Sequence, residues 1–278
     1  GGIRYSNETL YFATTENDSF NEKGGFFYSV NSTNGDIKFK IPIVSRVYNS
    51  IEINSQENIA IVGDAKGNIT LYNTSKESIA NSERKIFTIE TDYSIISPAI
   101  QLDGPNNETN YCVGNINGEI KCYELNKGNK ITLTEWGSLK FDGWIWSNIE
   151  LYDDSLFLVT LSGNLYKVDF DLEGKNLNIA WEQNIDKNGK PVSGIMIYER
   201  GNVANSIIPF DKDKLVIAEL SNGSITDELP FKDGVQSLPV MKNDFIYFVD
   251  KENKFRSYSL IDRSQKLCFD LNEMKGCD

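Results

Sequence analysis

The chain has 278 residues, 40% of them hydrophobic and 12% aromatic, which suits a large folded core and excludes a disordered polypeptide. Its 40 Asp and Glu outnumber 28 Lys and Arg, and the formal charge of −12 argues against nucleic acid, whose phosphates need clustered cations. There is no histidine, which removes imidazole acid–base chemistry, Ser-His-Asp and Cys-His nucleophiles, and His-ligated zinc or haem.

Residues 1–12 (GGIRYSNETLYF) align without a gap to residues 237–248 (SLPVMKNDFIYF), so the chain begins inside a first strand. Leu10–Thr14, Gly25–Asn31 and Asp36–Ile43 follow as three more strands, with a polar loop over Glu16–Lys23. The next stretch, 44–91, holds Ile59–Gly63, a DAKG turn and Asn68–Asn73. In 92–141, Asn110–Gly114, an NING turn and Glu119–Leu125 repeat that order. The clearest copy is 142–186, where Ser147–Tyr152, Ser155–Thr160, Asn164–Phe170 and a strand carrying Trp181 are joined by turns of a few residues. Within 187–231, NGSITDELPFKDGVQS (222–237) matches NGDIKFKIPIVSRVYNS (34–50) with one residue of slippage. The last copy, 232–278, contains Phe245–Asp250, Phe255–Leu260 and Lys266–Leu271.

Two markers keep step with these copies. Ser50, Ser97, Ser147, Ser193 and Ser237 mark the first strands; Phe39, Phe87, Trp136, Trp181 and Phe269 mark the last, with Asp227 as the exception. Four strands joined by tight turns form an antiparallel meander, and a meander repeated every ~45–50 residues is a propeller blade. The expected fold is all-β: a single six-bladed β-propeller of four-stranded antiparallel blades, one domain over 1–278, with radial closure covering the sheet faces.

The four cysteines fall into two local pairs. Cys112 and Cys122 flank the NING turn on neighbouring strands, where a cross-strand bridge is feasible, and Cys268 with Cys277 would staple the tail to the last strand. The other reading is four free, half-buried thiols. An even count in local pairs points to an oxidising, extracytoplasmic compartment: periplasmic, secreted or surface-anchored. No apolar run is long enough to span a membrane. The opening Gly1-Gly2, without methionine, fits a processed or cut chain, read either as a cloning remnant or as the residues after a lipid anchor upstream of Gly1.

The five serines predict a ring of hydroxyls around the propeller axis, either a polar vestibule for a small ligand or small residues at a crowded axis bonding backbone. Trp144 and Trp146 lie two apart on an extended segment, so both indoles face one way. They form either a platform for a sugar ring or an apolar side chain, or ordinary packing between blades. Asp211 and Asp213, Asp169 and Asp171 with Glu173, and Asp186 near Asn188 sit at turns, but none completes a calcium loop, and no metal site is expected. No residue is singled out as catalytic and no cofactor is expected.

Ser237-Leu238-Pro239, Gly163-Asn164-Leu165-Tyr166 with Asp169, and Asn34-Gly35 with Phe39 resemble the PQQ-like, or quinoprotein-like, β-propeller repeat. The resemblance covers essentially the whole chain and implies a propeller. The family's quinone-dependent dehydrogenases resemble eight-bladed wheels with a docking Trp in nearly every blade, a bound calcium and a disulfide between adjacent cysteines. Six copies, two docking tryptophans and no adjacent cysteines set this chain apart from them. The resemblance therefore implies the non-enzymatic branch, which includes a periplasmic scaffold subunit of the machinery that assembles outer-membrane β-barrels.

The expected function is a non-catalytic, extracytoplasmic scaffolding module that binds a protein or glycan at a propeller face. The alternatives are a polysaccharide-active hydrolase or lyase with carboxylates at the channel mouth, and a quinone-dependent dehydrogenase. Desolvated carboxylates converging at the mouth would favour the enzyme; an aromatic patch with only surface acids would favour the binding module.

Overall fold

The computed structural model describes residues 2–15, 24–75, 79–186 and 189–277; the expected Glu16–Lys23 loop and Gly1 lie outside them. The first blade comprises β1 (Arg4–Ser6), β2 (Thr9–Ala13), β3 (Phe26–Asn31) and β4 (Ile37–Pro42). The second is β5 (Glu52–Asn54), β6 (Ile59–Gly63), β7 (Asn68–Asn73) and β8 (Lys85–Glu90). The third is β9 (Ile100–Asp103), β10 (Thr109–Gly114), β11 (Glu119–Lys127) and β12 (Ile131–Lys140). The fourth is β13 (Glu150–Tyr152), β14 (Ser155–Val159), β15 (Asn164–Asp171) and β16 (Asn176–Asn184). The fifth is β17 (Met196–Arg200), β18 (Val203–Phe210), β19 (Lys214–Glu219) and β20 (Ile225–Pro230). The sixth is β21 (Val240–Lys242), β22 (Phe245–Val249), β23 (Lys254–Ser259), β24 (Ser264–Asp270) and β25 (Lys275–Gly276). Each sheet pairs its strands in sequence order, which makes the chain a six-bladed β-propeller of antiparallel meanders.

By its internal contacts the chain divides into two units, Gly1–Ile149 with Phe170–Leu177 and Glu150–Asp169 with Asn178–Asp278. In the first, Tyr11, Phe27 and Phe39 of blade one pack with Ala60, Val62 and Tyr72 of blade two. The other side of blade two sends Ile59, Ile61 and Leu71 against Tyr111, Val113 and Tyr123 of blade three. In the second unit, Phe157 and Leu165 pack with Ile208, Val216 and Ala218. Ile207, Leu215 and Ile217, on the opposite side of that fifth blade, pack with Ile246 and Phe248.

Burial separates inner from terminal blades. β6, β10 and β14 are buried at every residue, as in sheets covered on both faces. β2 and β22 instead alternate between buried and half-buried residues, as in a sheet covered on one face. On the side of blade one opposite its contacts with blade two stand Leu10, Phe12 and Tyr28, with Tyr5 63% and Ile37 59% exposed.

Two further differences from the expected pattern have local causes. The first strands start later than the serine-marked segments: Ser97, Ser147, Ser193 and Ser237 lie three residues before β9, β13, β17 and β21. The chain bends at each of them, and the ladder begins only beyond the bend. The sixth blade also has a fifth strand, because β25 pairs with Phe269 and Asp270 along the edge of β24. Cys268 and Cys277 are joined there, with their Cα atoms 5.3 Å apart. Cys112 and Cys122, directly opposite on β10 and β11, are also joined, Cα to Cα 4.1 Å, and both are fully buried.

Candidate functional site

The linkers entering blades two, three and four belong to the first unit and share one construction. Five residues before each first strand comes a buried aliphatic peg, Val47, Ile95 or Ile145, exposed by 2%, 1% and 0%. Two pegs press on a glycine that ends the second strand. A Cβ on Gly63 would lie 2.4 Å from Ile95 Cγ2, and one on Gly114 would lie 2.5 Å from Ile145 Cγ2, so only glycine permits the approach.

The loop after each second strand is closed by an Asx turn that holds the linker. Asp64 Oδ1 accepts from the N–H groups of Lys66 and Asn68 at 2.9 and 3.0 Å, and Asn115 Oδ1 from those of Asn117 and Glu119 at 2.9 and 3.1 Å. The Ala65 N–H then donates to the Arg46 carbonyl at 2.8 Å, and the Ile116 N–H to the Ser94 carbonyl at 3.1 Å. In the second unit Asp250 closes the same turn with Glu252 and Lys254, both at 2.9 Å.

With each peg buried, its neighbour in the extended linker turns the other way. Those neighbours are Tyr48, Ile96 and Trp146, and with Ser94 and Ile116 they line a cavity of about 430 Å³. Tyr48 is 55% exposed and Trp146 47%. The Ser94 hydroxyl is already spent on the Ala65 carbonyl, so the walls are apolar apart from the phenol and indole heteroatoms. Trp144 is also exposed and flanks buried Ile145 on the side opposite Trp146 in sequence, but it does not line the cavity. Both tryptophans lie in the linker, ahead of β13 and not on a strand.

Three of the five marker serines, Ser97, Ser193 and Ser237, bond backbone groups. Ser97 is buried, accepts from the Gly114 N–H at 2.6 Å and donates to the Gly114 carbonyl at 3.2 Å. Ser237 accepts from the Val249 N–H at 2.9 Å, and Ser193 donates to the Ser237 carbonyl at 3.4 Å. The Ser147 hydroxyl is buried with no hydrogen-bond partner. Ser50 stands one residue out of register: Asn49 occupies the position equivalent to Ser97, and its Nδ2 donates to the Ser97 carbonyl at 2.7 Å. That slip conceals Tyr48, Ile96 and Trp146 as equivalent positions. The signal that reveals them is the peg, Val47, Ile95 and Ile145, always one residue earlier.

Glu52, Glu57 and Asp103 all act on the Tyr111 phenol, whose pKa burial raises. Of the carboxylates with a resolved shift, Glu52 alone is raised; burial is the main cause, and the Arg4 guanidinium, 2.5 Å away, pulls it back down. Asp262 lies at about 2, held down by hydrogen bonds from Lys266 and Ser264. Among the expected calcium candidates, Asp186 pairs with Lys214 at 3.1 Å and Asp213 with Lys251 at 2.8 Å, while Lys187 and Asn188 lie outside the described residues. Among the described residues no three His, Cys, Asp or Glu side chains group as metal ligands would.

Meander blades stacked through buried sheet faces make this a β-propeller, with a cavity among the linkers of its first unit. Among solved structures 1447 chains match, so the likeness identifies an architecture. One is BamB from Moraxella catarrhalis, with a TM-score of 0.67 and 10% identity, covering 96% of this chain and 74% of that one. No protein-family model matches the chain, and no curated protein matches it by sequence.

Proposed function

We propose that this chain is a non-catalytic, extracytoplasmic binding module of the PQQ-like repeat kind, which engages a protein or glycan through its linker face. The observation that carries the reading is the cavity between Tyr48, Ile96 and Trp146: apolar, open, and flanked by aromatic side chains whose burial a partner would complete. The two cystines support an oxidising compartment. Glu52, paired with Arg4, is the one carboxylate with a resolved upward shift among the described residues, whereas glycosidic cleavage requires a pair.

The test is to compare the protein with a Tyr48→Ala/Trp146→Ala variant against arrayed glycans and against proteins of its own compartment. The variant removes exposed rings, so it remains folded. The reading requires a specific ligand whose affinity falls at least about tenfold in the variant, the loss of ~1.4 kcal/mol or more expected for aromatic anchors. Ligand binding that is unchanged in the variant, or conversion of any arrayed glycan into product, would overturn it.

A further inference from the structure

Resting on the reading of the linker face as a binding surface, we propose that its cavity takes a proline-rich, extended protein segment with a basic flank. Hydrogen-bond supply selects this occupant, because the polar groups around the cavity are already spent. The Ser94 hydroxyl donates to the Ala65 carbonyl, and the Ser94 carbonyl accepts from the Ile116 N–H at 3.1 Å. Asp64, on the turn that holds the Tyr48 linker, accepts from two backbone N–H groups through Oδ1 and from Asn68 Nδ2 at 2.8 Å through Oδ2. Asn115, on the turn that carries Ile116, accepts from two backbone N–H groups through Oδ1 and donates from Nδ2 to Glu119 Oε2 at 3.3 Å. What remains is the Tyr48 hydroxyl and the Trp146 indole N–H, neither of which has a hydrogen-bond partner among the described residues.

The indole can only donate, and the phenol is a donor too. A sugar ring brings several hydroxyls, each needing partners, and most would be buried unpaired against Ile96 and Ile116. A prolyl residue brings the opposite balance: an apolar ring, no N–H, and carbonyls that a polyproline II backbone leaves free to accept. Apolar walls with two aromatic donors meet that balance, as aromatic-lined grooves do when they take Pro-rich segments. Trp144, turned outward beside buried Ile145 as Trp146 is, continues the aromatic surface past the cavity.

Charge sets the flank. The formal charge of −12 steers cationic partners towards the chain. Exposed Asp92 and Asp142 occupy equivalent places, three residues ahead of the Ile95 and Ile145 pegs, and neither forms an ion pair among the described residues. The third linker has Val44 at that place and carries Arg46, with Lys66 on the turn it meets. The basic flank of the segment therefore lies over the Ile96 and Trp146 linkers, away from Arg46 and Lys66.

The test titrates the whole chain with synthetic peptides, read by tryptophan fluorescence and calorimetry. The panel holds Pro-x-x-Pro sequences with Lys or Arg at either end, the same sequences with Pro replaced by Ala, and short neutral oligosaccharides. The expected result is saturable binding of a basic Pro-x-x-Pro peptide, weakened at least about tenfold by the Pro replacements and further weakened as salt rises. Tyr48→Phe/Trp146→Phe keeps both rings and removes both donors, so affinity should fall at least about fivefold. Asp92→Asn/Asp142→Asn should weaken binding about threefold and flatten its salt dependence. Both variants alter exposed positions and should keep the parent's circular dichroism spectrum. Peptide affinity indifferent to the Pro replacements or to donor removal would overturn the proposal. No peptide binding, with a glycan or a folded domain held by the parent and lost in Tyr48→Ala/Trp146→Ala, would overturn it and leave the linker face standing. Binding of no ligand class, or peptide binding that survives Tyr48→Ala/Trp146→Ala, would overturn both.

Discussion

Replacing Gly114 with alanine tests whether the aliphatic pegs fix the linkers beneath the aromatic cavity. In an ordinary strand this change would stabilise by about 0.5–1 kcal/mol, because glycine is the more flexible residue in the unfolded chain. Here the new methyl would sit 2.5 Å from Ile145 Cγ2, 2.9 Å from Ile145 Cβ and 3.1 Å from Ser97 Oγ. Ile145 is fully buried and Ser97 holds both backbone groups of Gly114, so neither can swing aside. Overpacking of this kind costs about 1–3 kcal/mol, which outweighs the entropic gain. Thermal unfolding should show a fall in Tm of several degrees, at about 2–4 °C per kcal/mol. In an Ile145→Ala background, itself destabilised by about 2–5 kcal/mol, the methyl fills the vacated space and Gly114→Ala should be neutral or stabilising. An equal penalty in both backgrounds, or a gain in the parent, would refute the peg-and-glycine account.

Other consequences follow from the same geometry. Asp250 is fully buried and receives the Arg256 guanidinium at 2.5 Å, so Arg256→Met should cost about 3 kcal/mol by leaving that buried charge without its cation; Arg256→Met with Asp250→Asn should cost less. Chemical denaturation measures both, and an equal or larger loss in the double variant would contradict the pairing. Replacing Cys112 and Cys122 with serine should cost about 3 kcal/mol for a loop closed over a sequence separation of 10. Thiol trapping under native reduction should label Cys268 and Cys277 first, because Cys112 and Cys122 are fully buried and Cys268 and Cys277 are only half-buried; simultaneous labelling would count against that. Asp262 titrates at about 2, below its ordinary value of 3.8, so its stabilising contribution is present above that value and is lost as pH falls towards about 2. A carboxylate titration by NMR that places its midpoint at the ordinary value would contradict the Lys266 and Ser264 contacts.

The propeller is legible because each copy carries its own local grammar. Turn residues such as Asn115 and Gly118, apolar second strands and aromatic fourth strands recur without reference to distant parts of the chain. The site was only half legible. Trp146 stands out by its size, but aligning Ser50, and not Asn49, with Ser97 hides Tyr48 and Ile96. A one-residue slip in an extended segment exchanges the buried and exposed sides, and serine was too common a marker to prevent it. The β25 strand, Lys275–Gly276, carries no periodic signal and exists only because the β24 edge and Cys268 hold it.

The central claim, that the linker face meets a partner, is tested most directly by photo-crosslinking. A photoreactive residue is placed at position 48 or 146, with a control at exposed Asn34 on a turn of blade one. The experiment is carried out in the compartment where the protein resides. The account predicts a discrete, identifiable adduct from positions 48 and 146, lost when Ile96→Asp places a charge in the cavity wall. Adducts no different from those at Asn34, or adducts indifferent to Ile96→Asp, would contradict it.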